Sequence, residues 1–107
     1  MELDIDRVEN KIIQLKDFFK SIKENNNITS YGAGAEYGYN SSVTMLKTLE
    51  VYKNKKKNSD LKRIYAGFTA VTRGVEGFND KVINEKFYEV CKGIYEIKQE
   101  IRSLIKW

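Results

Sequence analysis

Residues 61–82, LKRIYAGFTAVTRGVEGFNDKV, decide the fold. Apolar side chains fall at Leu61, Ile64, Phe68, Val71, Val75, Phe78 and Val82, an unbroken alternation of three- and four-residue steps that keeps one helical face turned toward neighbouring helices. Beside that stripe, each one position before an apolar residue, Gly67, Ala70, Gly74 and Gly77 leave a flank almost bare of side chains. Glycine inside a helix costs roughly 1 kcal/mol relative to alanine, so three of them in one helix point to close packing or to binding.

The same spacing recurs on both sides. Toward the start, Ile5, Val8, Ile12, Leu15, Phe19 and Ile22 predict an amphipathic helix over 6–24, with Asp6 and Glu9 in capping-box positions and Asn25, Asn26 and Asn27 ending it. Toward the end, Phe87, Val90, Ile94, Ile97, Ile101 and Leu104 predict a last helix. Asn40, Ser41 and Ser42 are N-cap candidates for a shorter helix carrying Val43, Met45, Leu46, Leu49 and Tyr52, and Ser59 or Asp60 caps the central one. The stripe slips by one position between Val82 and Ile83, a rotation of about 100° on a straight helix. A turn at 77–80 or near Asn84 resolves the slip, and a single bent helix of more than 40 residues is the other solution. The expectation is one all-α domain over 1–107, an antiparallel bundle of three long helices and one short helix.

Composition excludes most chemistry. With no histidine and a single cysteine, the chain cannot build a Ser-His-Asp or Cys-His nucleophile system, a histidine-ligated zinc site or an internal disulfide. Glu85, Glu89, Glu96 and Glu100 alternate with Lys92, Lys98 and Arg102 as on a solvated face. We therefore expect no enzyme, no metal and no cofactor. Cys91 reads as a small apolar residue beside the core stripe. No apolar run reaches the roughly 20 residues that span a bilayer, and the acidic start is unlike a signal peptide, so the expected setting is the cytoplasm with no membrane contact. Lysine, asparagine and isoleucine dominate, a bias that suggests an AT-rich bacterial or phage genome.

Three features carry function candidates. Residues 28–40 set glycines at 32, 34 and 38 among Tyr31, Tyr37 and Tyr39 with no surviving period; they read as a connector, or as a binding loop offering backbone amides and stacking faces. The glycine spacing does not match a phosphate-binding fingerprint. The flank of Gly67, Ala70, Gly74 and Gly77 is the second candidate, for a partner or for a second copy in a homo-oligomer. Third, residues 41–63 hold seven basic and two acidic side chains, so the formal excess of +4 resides there, in Lys53, Lys55, Lys56, Lys57, Lys62 and Arg63. Such a cluster draws phosphates or acidic protein surfaces, although no aromatic residue interleaves it in the chain.

Two function classes follow. The favoured one is a non-enzymatic interaction protein that binds a partner protein stoichiometrically, as small inhibitor, immunity, antidefence and secretion-partner proteins do. The alternative is binding of a nucleic acid or anionic nucleotide through the basic segment and the Tyr/Gly loop 31–40. Trp107 reads as a cap over the bundle end rather than an exposed anchor.

Overall fold

The computed structural model describes residues 2–24, 32–73 and 81–107, and within them the chain forms five helices and no strand. These are α1 (Ile5–Glu24), α2 (Gly32–Lys55), α3 (Asn58–Arg73), α4 (Lys81–Cys91) and α5 (Ile94–Leu104). The domain is a small all-α bundle, 44 × 22 × 21 Å. Helices α1 and α2 run antiparallel: the end of α1 meets the start of α2 at Phe19 and Gly38, and the start of α1 meets the end of α2 at Glu9 and Lys53.

The 3-4 stripes build the core. Val8, Ile12, Leu15, Phe19 and Ile22 of α1 are buried, as are Met45, Leu49 and Tyr52 of α2, Leu61, Ile64, Phe68 and Val71 of α3, and Ile94, Ile97 and Ile101 of α5. Each fully buried aliphatic or aromatic side chain contributes roughly 1.5–3 kcal/mol of transfer free energy, so these faces hold the bundle together. Glu100 of α5 fastens the start of α1, accepting the Asp4 amide at 3.2 Å and pairing with Arg7 at 3.4 Å.

Several boundaries differ from the expectation. The helix expected to begin at Asn40–Ser42 begins at Gly32 and is the longest of the five. Asn40, Ser41 and Ser42 lie inside it, and the Ser42 hydroxyl donates 2.8 Å to the Gly38 carbonyl of the preceding turn. The reason is tertiary: Ala35 is fully buried, and a Cβ on Gly38 would lie 2.5 Å from the Phe19 ring. Small residues that weaken an isolated helix here permit contact with α1, and packing overrides propensity.

At the start of α1, Asp4 rather than Asp6 caps the helix, its Oδ1 accepting the Arg7 amide at 3.2 Å. Glu9 does not reach back but reaches across to Lys53. At α3 the helix starts at Asn58, with Ser59 and Asp60 already in its first turn; the Lys57 carbonyl accepts the amides of Asp60 and Leu61.

The expected last helix is two helices. Gly93 adopts φ 86°, ψ −10°, a left-handed conformation that glycine takes without steric cost, and it separates α4 from α5. Asn84, one expected turn, is inside α4, and the chain is not one bent helix. The other expected turn, at 77–80, lies outside the described residues, as do Val75 and Phe78 of the central stripe. Val82 belongs to α4 and is 58% exposed.

Candidate functional site

Helix α2 carries Tyr37 and Tyr39 on different faces, because residues two apart on a helix point about 200° apart. Tyr37 is half exposed. Tyr39 packs against the core, and the Lys23 ammonium of α1 stands 4.9 Å from its ring centroid. Neither lies in a loop, and Tyr31 falls outside the described residues.

On the glycine flank of α3, a Cβ on Gly67 would meet Met45 Cγ at 2.5 Å and Sδ at 2.6 Å. The space that glycine leaves is therefore filled by α2 of the same chain. Ala70 is half-buried, and Gly74 and Gly77 lie outside the described residues.

The basic set divides by role. Lys53 is a structural tie: its ammonium lies 2.6 Å from Glu9 and 3.3 Å from Glu50, and the hydrogen bond to Glu9 raises its pKa above the ordinary lysine value. Lys55, Lys56 and Lys57 are exposed around the α2–α3 turn. Lys56 takes a left-handed backbone (φ 50°), and its amide donates 2.8 Å to the Tyr52 carbonyl, closing α2. Lys62 and Arg63 project from the first two turns of α3; the Arg63 side chain is 74% exposed and only loosely paired, 3.9 Å from Asp60.

Two surfaces assemble from these parts. The first is a groove of about 360 Å³ between α2 and α3. It is lined by Tyr37, Ser41 and Thr44 of α2, with Met45 at Gly67, and by Arg63 of α3, so each of the three candidate features contributes a residue to it.

The second surface is built by the last residues of the chain. Asn58 clamps the backbone of Lys106 with two hydrogen bonds, donating to its carbonyl at 2.8 Å and accepting its amide at 2.7 Å. That clamp delivers Trp107 to α3. Its ring meets the Tyr65 ring edge-on with centroids 6.5 Å apart, the Lys62 ammonium stands 5.5 Å from its centroid, and Lys98 of α5 stands 4.9 Å from that of Tyr65. Trp107 is nonetheless 76% exposed, so it is not a cap over the bundle end. Aromatic rings do accompany the basic segment: Tyr52, 5.9 Å from the Lys56 ammonium, and Tyr65 flank it in the chain, and Trp107 joins from 45 positions after Lys62. Nothing in the linear spacing signals this; only Asn58 and its bonds to Lys106 do.

Away from these surfaces, Lys11 links α1 to the end of α4, donating 2.9 Å to the Val90 carbonyl, and partial burial lowers its pKa. Burial also pushes the neighbouring Cys91 thiol up to about 11, leaving it a poor nucleophile near neutrality. Among the described residues no group of three or more acidic or cysteine side chains is arranged to hold a metal ion, and no helix is long and apolar enough to cross a membrane. No protein-family model matches the chain, and no curated protein or solved structure resembles it significantly.

Proposed function

We propose that this chain is a non-enzymatic interaction protein that binds an acidic surface of a partner protein stoichiometrically, through the face formed by Lys62, Tyr65, Lys98 and Trp107. The observation that carries this reading is that Trp107 is 76% exposed yet held in place by the Tyr65 edge, the Lys62 ammonium and the Asn58 clamp on Lys106. Tryptophan and tyrosine dominate the energetics of protein interfaces, and an anchor already fixed in the free protein loses little conformational entropy on binding. The surrounding ammoniums favour a partner carrying carboxylates and steer its approach.

The test is affinity capture from the source organism followed by titration of the captured protein. A saturable one-to-one complex is expected, weakened by about 2 kcal/mol or more in Trp107→Ala and further in Lys62→Glu, and unchanged in Lys55→Ala. Equal affinity for Trp107→Ala and the parent protein would sink the reading.

A second reading, nucleic-acid binding at the same face, is favoured by the alternation of ammonium and ring, which suits a single strand whose bases stack while its phosphates are neutralised. Salt separates the two. Strand binding should weaken along a log-log slope of roughly −0.7 per phosphate neutralised, whereas an interface anchored by Trp107 should lose far less affinity over the same range.

A further inference from the structure

We infer that the groove between α2 and α3 is a binding site for a planar aromatic ring bearing one anionic group, the chemistry of a nucleoside monophosphate. Its volume, about 360 Å³, lies at the small end of the roughly 300–1,000 Å³ typical of small-molecule sites. Its shape comes from the backbone: with no side chain at Gly67, Met45 lies directly against α3 and the space above it stays open between the helices. The α2 wall repeats at Tyr37, Ser41, Thr44 and Thr48, steps of four, three and four that keep all four on one face. The α3 wall is Arg63 and Gly67, one turn apart.

Each end of the ligand has a matching group. Tyr37, half exposed on the rim, offers a face for stacking, and the Met45 thioether beneath supplies a polarisable apolar contact for the ring. Arg63 is the one charged side chain among the described residues that line the groove. Its guanidinium lies 3.9 Å from the Asp60 carboxylate, beyond hydrogen-bond distance, so its donors are available to a phosphate in the forked geometry that arginine favours. Thr48 donates its proton to the Thr44 carbonyl at 3.0 Å, which leaves its oxygen an acceptor for a ligand hydroxyl or amino group. No second cation lines the groove among the described residues, so the longer phosphate chain of a triphosphate finds no further partner there. The site is separate from the Trp107 face and stands or falls independently of it.

The ring and phosphate can come from a free nucleotide or from one unit of a single strand, and titration separates them. The full chain is titrated at low salt with AMP, adenosine, ribose 5-phosphate and (dA)10, following amide chemical shifts. AMP is expected to bind saturably with shifts centred on residues 37–48 and 63–67, and adenosine and ribose 5-phosphate to bind at least about fivefold more weakly. Tyr37→Ala and Arg63→Ala should each lower AMP affinity at least about fivefold at unchanged melting temperature, and Arg63→Lys should not restore it. Lys62→Ala should leave it intact. Tighter binding of (dA)10 with the same two losses assigns the ligand to a strand, and weaker binding assigns it to the free nucleotide. No shifts at about 10 mM AMP, shifts centred on Trp107, or affinity unchanged in both Tyr37→Ala and Arg63→Ala overturns the site.

Discussion

Helix α1 packs against α2 on one side and α4 on another, and the two seams are unlike. Against α2, Phe19 is fully buried because its ring lies on the bare backbone of Gly38, and Lys53 closes the far end on Glu9. Against α4 the seam holds a hydrogen bond from Lys11 to the Val90 carbonyl and a loose aromatic cluster, with the half-buried Phe87 ring 5.4 Å from that of Phe18 and 6.0 Å from that of Phe19. No residue of α4 is buried, and Val82 and Tyr88 stand in solvent. Both helices carry apolar residues at helical spacing. What separates them is how near the backbones come, and small residues, not the apolar stripe, govern that.

Truncating the two rings should split the seams most widely. Phe19→Ala is expected to cost about 3–5 kcal/mol, a large part of the stability of a domain this size, whereas Phe87→Ala should cost less than half as much because its ring is already partly wet. Urea unfolding of the two variants measures the difference, and equal losses would contradict the contrast.

Glycine substitutions come next. In Gly38→Ala the new methyl meets the Phe19 ring, and an overpacking cost of about 1–3 kcal/mol outweighs the helix propensity gained. Gly93→Ala, between α4 and α5, meets no atom within 4 Å and should cost only the strain of a left-handed alanine, about 1 kcal/mol. A melting temperature lowered more by Gly93→Ala than by Gly38→Ala would reverse the ranking. Gly67→Ala belongs between them, since Met45 is flexible enough to yield part of the space that Phe19 cannot.

The smallest effect concerns pH at the α4 end. Burial holds the Cys91 thiol protonated up to about 11, against an ordinary value of 9.0, so the unfolded chain releases that proton first. The resulting stabilisation is fully present below about pH 9 and is lost as pH rises toward 11. Between pH 8 and 10.5 the parent protein should lose more stability than Cys91→Ser. At pH 8 the native thiol should react with iodoacetamide roughly 100-fold more slowly than the same cysteine in the unfolded chain.

Much of the bundle was legible because apolar spacing reports a buried face directly. The α1 stripe from Val8 to Ile22, the α3 stripe from Leu61 to Val71 and the α5 stripe from Ile94 to Ile101 all lie in the core where the spacing put them. The start of α2 was not legible, since Gly32, Gly34 and Gly38 argue against a helix unless a neighbour needs the room, and at Gly38 that neighbour is Phe19, about 20 positions earlier. The candidate site was legible only as fragments. Tyr37, Gly67 and Arg63 stood out for separate reasons, and no local pattern indicated that they share one groove.

By itself, then, the sequence determined an all-α chain without histidine chemistry, with its positive charge concentrated in residues 41–63. Periodicity and composition are local properties, and they suffice for that. Only the tertiary structure decided which lysine is spent on an internal ion pair, which glycine faces a ring or a thioether, and that Asn58 carries Trp107 to Lys62. Those outcomes depend on contacts between residues tens of positions apart, which packing brings together and sequence spacing does not encode.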